Sequence, residues 1–182
     1  MEDVLLIWRS GRGNREALER IYQKYNVDMF TVALSLTRNT ATAEDIVHDV
    51  FVDFAAAVRN NGHIRNLKAY LLKCVINRVR SVMRCRAVNT ADVLPDNAAI
   101  TTDDPLKTLI EDETQRLVAE AMIELPSEQM EVILLHLRTG LTFKEIAAIQ
   151  DESINTVQAR YRYGLQKLRS ILKERCPNAA HR

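Results

Sequence analysis

Asp45, His48 and Asp49 are the residues of this chain whose types and spacing come nearest to a reactive cluster. Side chains three and four positions apart share one face of a helix, and two carboxylates beside an imidazole can exchange protons or hold a divalent cation. No further ligand or nucleophile stands nearby in the sequence, and the chain has no glycine-rich phosphate loop. The pattern therefore disfavours an enzyme, and we expect neither a metal nor a cofactor.

The segment from Leu141 to Leu172 offers a different chemistry, the recognition of DNA. It reads LTFKEIAAIQDESINTVQARYRYGLQKLRSIL, which is the pattern of a helix-turn-helix. Thr142 and Glu145 form a capping box, which predicts the start of the first helix. The predicted turn is Gln150-Asp151-Glu152, because aspartate tolerates a left-handed backbone better than most residues.

The second helix of this motif combines an apolar stripe with a polar outer face. Ser153 or Asn155 is predicted to cap it. Spacings of three and four predict a buried stripe of Ile154, Val157, Tyr161, Leu165, Leu168 and Leu172. The opposite side carries Asn155, Gln158, Ala159 and Arg162, where Gln and Arg side chains can bond base edges or phosphates. An amphipathic helical hairpin with an ordinary solvated face is the alternative.

Charge is segregated along the chain although the net charge is only +1. No acidic residue occurs from Phe54 through Ala91, where eight basic residues stand. From Asp92 to Glu131 the chain carries eleven acidic residues against two basic ones, and the segment from Arg160 to Arg175 is basic again. Two basic blocks separated by an acidic one indicate two contacts with a polyanion.

Composition predicts the fold class and the surroundings of the protein. Only five glycines and four prolines among 182 residues, with few β-type runs, favour an all-α fold. No apolar run approaches membrane-spanning length and the N-terminus lacks a signal-peptide pattern, so we expect a cytoplasmic protein without membrane insertion. Cys74, Cys85 and Cys176 are widely spaced, which predicts neither a disulfide framework nor a zinc site.

Helical patterns in the N-terminal half predict four helices. The first runs from Glu2 to Ser10, the second is capped by Asn14 and reaches about Arg38, and the third is capped by Thr42. After a loop at 60–63, the fourth runs from about Leu67 to Arg84. Its outer face aligns four polar or basic side chains: Lys73, Asn77, Arg80 and Arg84.

The C-terminal half is predicted to be a second helical domain. Pro105 and Pro126 each begin a helix, and Leu135 and Leu137 are expected on the inner side of the later one. The predicted organisation is a domain at 1–85, a flexible linker at 86–105, a second domain at 106–176 and a tail at 177–182.

Three segments together resemble a known family. ELPSEQMEVILLHLRTGLTFKEIAAIQDESINTVQARYRYGLQKLRSIL resembles region 4 of extracytoplasmic-function (ECF) RNA polymerase sigma factors. ALERIYQKYNVDMFTVALSLTRNTATAEDIVHDVFVDFAAAVRN is similar to their regions 2.1 and 2.2, and LKAYLLKCVINRVRSVMR to regions 2.3 and 2.4. The resemblance implies two helical domains that bind core RNA polymerase, recognise the −10 and −35 promoter elements, and help melt the DNA.

The resemblance also implies roles for individual residues. Asp45, His48 and Asp49 match positions that contact core polymerase. In the loop that captures a flipped −10 base, the candidate contacts are Asn61, His63 and Asn66, followed on the next helix by Lys73, Asn77, Arg80 and Arg84. The implied −35 contacts are Thr142, Lys144, Asn155, Thr156, Gln158, Ala159, Arg162 and Tyr163.

The sequence departs from the family pattern at several positions, some of which are implied contacts. His48 replaces a usual glutamine, Tyr70 a common tryptophan, and Gln158-Ala159 a basic–serine pair, while Tyr163-Gly164-Leu165 replaces an arginine-containing run. These changes predict a −35 preference that differs from that of typical members.

A stand-alone helix-turn-helix regulator is the alternative within DNA binding. It would not need the acidic face around Asp45, the loop after Arg59, or a second basic helix. The expected partners are therefore core RNA polymerase and promoter DNA. Because many family members are held inactive by an anti-sigma protein, such a protein is a further candidate partner.

Overall fold

A computed structural model describes residues 2–59, 64–89 and 113–175, and every regular element in these ranges is a helix. This confirms the predicted all-α class. The chain forms two compact units, Met1–Ala98 and Ala99–Arg182. Most of the predicted linker, the tail, Cys176, and the predicted helix start at Pro105 lie outside the described residues.

The first unit contains four helices: α1 (Glu2–Gly11), α2 (Arg15–Thr37), α3 (Thr40–Arg59) and α4 (Leu67–Asn89). Asn14 caps α2 as predicted, since its Oδ1 accepts a bond from the Ala17 N–H at 2.9 Å. The predicted cap of α3 was wrong. Asn39, not Thr42, supplies the oxygen, which accepts from the Thr42 N–H at 2.8 Å. Asparagine placed one residue before the helix reaches this donor more easily than a threonine already inside it.

The core of the first unit lies where α2, α3 and α4 meet. Its fully buried side chains include Ile21, Met29, Phe54, Leu71 and Ile76. Ile21, Met29, Phe54 and Leu71 lie on apolar stripes of helical period in the sequence, whereas Phe51 and Val82 are only half-buried.

Ion pairs and one tyrosine hydrogen bond link the helices of the first unit. Asp3 on α1 accepts bonds of 2.7 Å from both the Lys24 ammonium and the Tyr25 hydroxyl on α2. Burial, and then the bond to Asp3, raise the pKa of Tyr25 to about 12. Lys68 on α4 lies 2.7 Å from Asp28 on α2. Each contact joins two different helices and so fixes their register.

The second unit contains α5 (Glu113–Ile123), α6 (Ser127–Ile133), α7 (Phe143–Gln150) and α8 (Ile154–Arg175). Helix α6 continues directly into one π-helical turn, Leu134–Arg138. A π-turn holds an extra residue, which rotates the side chains that follow it. Leu137, predicted on the inner side, lies within this turn, where α-helical spacing does not apply, and is 60% exposed, while Leu135 is fully buried.

The buried stripe of α8 differs from the prediction at both ends. Val157 and Leu168 are buried as expected, together with Gly164 and Ile171. Ile154 is 42% exposed, and Tyr161, Leu165 and Leu172 are half-buried. The buried stripe of α8 therefore includes Gly164. A search for apolar side chains does not find this position, because glycine has no side chain.

Gly164 marks a close crossing of α6 and α8. A Cβ added at this residue would lie 2.8 Å from Cδ1 of Ile133 and 3.2 Å from Cβ of Gln129. Such distances leave no room for a side chain unless the helices separate. The glycine that departs from the family pattern thus lets the two helices approach.

We expect Gly164→Leu to lower the stability of the second unit by about 1–3 kcal/mol, because the branched side chain overpacks the crossing. Lys167→Leu is the matched control, since it adds the same side chain at an exposed position of α8. Urea unfolding followed by circular dichroism measures the effect. Trp8, the one tryptophan, lies in the first unit, so its fluorescence should report an unchanged transition. Equal dichroism midpoints for Gly164→Leu and the parent would contradict the close crossing.

Candidate nucleic-acid interface

The first helix of the helix-turn-helix begins at the predicted capping box and ends before a left-handed residue, Asp151. The Thr142 N–H donates to Oε2 of Glu145 at 2.7 Å, and the Glu145 N–H donates to the Thr142 hydroxyl oxygen at 3.3 Å. This reciprocal pair is the predicted capping box. At the other end Asp151 has a φ of 55°, the left-handed conformation, and donates its N–H to the Ala147 carbonyl. The capping box and the left-handed residue therefore set the two ends of α7.

Ser153 supplies the cap of α8. Its Oγ accepts from the Thr156 N–H at 3.0 Å and lies 2.8 Å from the Thr156 hydroxyl. Asn155, the alternative cap, instead lies in the first turn of the helix with an exposed side chain. Its amide is consequently left on the outer face.

Three aromatic rings hold the start of α7 against its neighbours. His136 in the π-turn stacks on Phe143 at 4.4 Å between ring centroids, and Tyr161 of α8 meets them edge-on at 5.0 and 5.2 Å. Nδ1 of His136 lies 2.8 Å from the Leu141 carbonyl oxygen, so this nitrogen donates to it. Aromatic pairs of this kind contribute about 0.5–1.5 kcal/mol each beyond buried area.

A chain of polar contacts fixes the other end of α7. Gln150 donates its Nε2 to Oε1 of the buried Glu131 at 2.7 Å. Arg160 of α8 donates to Oε1 of Gln150 at 3.0 Å and to Oε1 of Glu152 at 2.9 Å. The amide thus links α6 to α8, and the guanidinium joins α8 to the turn. We call Glu131, Gln150, Glu152 and Arg160 the polar clamp.

The outer face of the motif carries the predicted −35 residues. Lys144 and Thr142 are exposed at the start of α7. On α8 the exposed side chains are Asn155, Gln158, Arg162 and Tyr163, and Thr156 and Ala159 are half-buried between them. The hydroxyls of Thr142 and Thr156 already bond within their caps, so the free donors and acceptors of this face are chiefly Asn155, Gln158 and Arg162.

The cations of α8 divide into two groups. Arg160 belongs to the polar clamp, and Arg175 pairs with Glu120 and Glu124 of α5. For the other basic side chains, no carboxylate partner is recorded anywhere in the described ranges: Arg162, Lys167, Arg169 and Lys173. Only the second group is available to an external anion.

A second basic surface lies on α4 of the first unit. Asn77 and Arg84 are exposed, and Lys73 and Arg80 are half-buried. Asn66 stands just before this helix and caps it, since its Oδ1 accepts from the Ala69 N–H at 3.1 Å. Asn61 and His63, the other predicted loop residues, lie outside the described residues.

The acidic face of α3 is a third surface. Asp45 and His48 are exposed, while Asp49 is half-buried and forms an ion pair with Arg78 of α4. The hydrogen bond to Asp49 raises the pKa of Arg78. Arg78 and Asp49 are therefore paired with each other within the unit. Asp45 and His48 are the exposed side chains of this face. Where side chains are described, no cluster of three or more His, Cys, Asp or Glu is arranged to hold a metal ion.

Sequence patterning missed the polar clamp. Gln150 had been placed in the turn, yet it is the last residue of α7 and is buried. The sequence did contain one sign of the clamp, the charged residue Glu131 among the apolar residues of the run from Met130 to Ile133. All four residues of that run are buried, Glu131 included. A buried carboxylate requires a partner, and the partner follows it by nineteen residues.

No helix in the described parts of the chain is both long and apolar enough to cross a bilayer. Cys74 and Cys85 are free thiols. Burial raises the pKa of the Cys74 thiol, which makes it a poorer nucleophile.

The sequence matches two parts of one family. The sigma-70 region 2 profile matches residues 21–88, and the sigma-70 region 4 profile matches residues 115–168. Among curated relatives, the ECF RNA polymerase sigma factor EcfG of Rhodopseudomonas palustris is 28% identical over 141 residues, 77% of this chain and 76% of EcfG. RNA polymerase sigma factor CnrH of Cupriavidus metallidurans is 26% identical over 180 residues, 93% of this chain and 94% of CnrH.

A solved structure agrees in fold. The sigma factor RpoE of Bartonella quintana, crystallised with the anti-sigma factor NepR, matches with a TM-score of 0.70 and 25% identity over 85% of this chain and 98% of that one. The two sigma-70 regions lie in different compact units and in the expected order. The chain therefore belongs to the sigma-70 family of RNA polymerase sigma factors, and within it to the ECF type.

Proposed function

We propose that this chain is a sigma subunit that binds core RNA polymerase and directs it to promoters through the −35 and −10 elements. The observation that carries the proposal is the presence of a region 2 match and a region 4 match on separate units, each with a basic outer helix. A regulator that acts without polymerase needs only one of them.

Contact with the −35 element is assigned to the outer face of α7 and α8. A recognition helix enters the major groove with its first turns, where exposed amides and guanidinium groups meet base edges. Asn155, Gln158, Arg162 and Tyr163 occupy this end of α8 and are exposed. Lys144, exposed at the start of α7, is proposed to contact a phosphate, and Thr142, Thr156 and Ala159 are proposed to complete the contacting surface.

Contact with the −10 element is assigned to α4 and the loop before it. Lys73, Arg80 and Arg84 are proposed to hold phosphates, and Asn77 to lie against the DNA between them. Asn61, His63 and Asn66 are proposed to hydrogen-bond a flipped base, which offsets the few kcal/mol that extrusion costs.

The acidic face of α3 is proposed to bind core polymerase. Asp45 and His48 offer an exposed carboxylate and imidazole to a basic partner surface, and Asp49 joins them if its bond to Arg78 is exchanged. Such charge complementarity contributes mainly to specificity and association rate.

The subunit is proposed to be non-catalytic and to work in the cytoplasm beside the polymerase. An anti-sigma protein is the proposed inhibitor, because the Bartonella sigma factor was crystallised with one.

Transcription in a defined system tests the function. Core polymerase supplemented with this chain should produce transcripts that begin at discrete sites on genomic DNA fragments, whereas core polymerase alone should not. A chain that binds DNA specifically but yields no promoter-directed transcript would be a stand-alone regulator, and the proposal would fall.

We expect Asp45→Lys to weaken binding to core polymerase about tenfold or more, since like charges placed together across an interface cost several kcal/mol. Glu19→Lys is the matched control. It makes the same charge change at an exposed position of α2 in the same unit. Competition for core polymerase against a labelled parent chain measures both affinities. Equal losses in the two variants would mean that net charge, not this face, governs assembly.

We expect Gln158→Ala to abolish a base preference at one −35 position, because a bidentate amide–adenine contact supplies about 1–3 kcal/mol of discrimination. Transcription from promoters randomised in the −35 element measures the preference at every position. Gln166→Ala, which removes an exposed glutamine two turns further along α8, should leave the preferences unchanged. If Gln158→Ala also leaves every position unchanged, the assignment of Gln158 to base contact is wrong.

A further inference from the structure

Arg162 and Tyr163 form a contact on the outer face of α8. The guanidinium carbon of Arg162 lies 5.1 Å from the centroid of the Tyr163 ring. Both side chains are exposed, and Tyr163 is 53% exposed despite its large apolar ring. A cation within about 6 Å of a ring centroid is attracted by the negative face of the ring.

This contact is the one recorded restraint on the Arg162 guanidinium within the described ranges. Arg160, two residues earlier, bonds Gln150 and Glu152 and belongs to the polar clamp. No carboxylate partner is recorded for Arg162 in the same ranges. The two arginines of this turn are thus held by different means, one by hydrogen bonds and one by a ring.

The ring restrains Arg162 without consuming its hydrogen-bond donors. A salt bridge occupies the N–H groups that would otherwise bond DNA, whereas contact with an aromatic face leaves them free. It also limits the rotamers of a long side chain, so less conformational entropy is lost on binding. The planar guanidinium fork then matches O6 and N7 of guanine, the commonest specific contact in the major groove.

Packing does not account for the tyrosine. Residue 163 precedes Gly164, which faces the crossing with α6, and its own side chain points away from the core. An exposed aromatic ring on a face that otherwise carries amides and cations suits a function at the surface.

We propose that Tyr163 is a positioning residue, whose ring holds the Arg162 guanidinium for bidentate recognition of one guanine in the promoter element that α8 enters. This proposal rests on the proposed function, and it identifies guanine as the recognised base and Arg162 with Tyr163 as the side chains that select guanine.

A double-mutant cycle in reconstituted holoenzyme tests the proposal, with transcription from promoters randomised in the −35 element. Arg162→Ala should remove a guanine preference of about fivefold or more at one position. Tyr163→Leu should reduce the preference at that same position about two- to fivefold, and Tyr163→Phe, which keeps the ring, should retain it. In the Arg162→Ala background, Tyr163→Leu should have no further effect at that position.

Three results would overturn the proposal: no guanine preference lost in Arg162→Ala, an unchanged preference in Tyr163→Leu, or a full Tyr163→Leu effect in the Arg162→Ala background. The last would mean that the ring contacts DNA directly. Failure of the proposed function is distinct, because the parent holoenzyme would then give no promoter-directed transcript. Circular dichroism of the variants checks that the fold is intact, which the exposure of both side chains leads us to expect.

Discussion

The guanidinium of Arg160, shared between Gln150 and Glu152, is the contact on which the DNA-binding end of the second unit depends. Through the Gln150 amide it reaches the buried carboxylate of Glu131, so one chain of hydrogen bonds spans α6, α7, the turn and α8. A buried polar side chain that loses a hydrogen bond costs more stability than a lost surface contact does. These hydrogen bonds within the unit therefore hold the angle between α7 and α8.

The other arginines of this sigma factor also divide into those with a carboxylate partner and those without one. Arg78 is committed to Asp49, and Arg175 to the acids of α5, so neither adds a free charge to its surface. Arg162 and Arg84 have no recorded carboxylate partner in the described ranges and lie on the two faces proposed to meet promoter DNA. A chain with a net charge of only +1 can thus present two local cationic surfaces, because several of its acidic side chains form ion pairs within a unit.

Local signals in the sequence predicted local structure well. The capping box at Thr142 and Glu145, the left-handed Asp151 and the cap at Asn14 need only a few neighbouring residues, and all three are confirmed. The exposure of Asn155, Gln158 and Arg162 on α8 followed from helical spacing alone. Spacing missed the burial of Gly164, which depends on a residue distant in sequence, Ile133, that lies opposite it. Spacing also missed the exposure of Leu137, because α-helical spacing does not apply within a π-turn. A single sequence without its fold contains no sign that Ile133 lies opposite Gly164.

We infer that arginines in ion pairs stabilise the fold of each unit, whereas arginines without a carboxylate partner in the described ranges bind promoter DNA. The dependence of promoter affinity on salt measures it, because each phosphate contact changes the slope of log affinity against log salt concentration by about one. Holoenzyme with Arg84→Gln should show a slope smaller by about one. Holoenzyme with Arg160→Gln should bind more weakly with the slope of the parent. A slope reduced by Arg160→Gln and unchanged by Arg84→Gln would contradict the account.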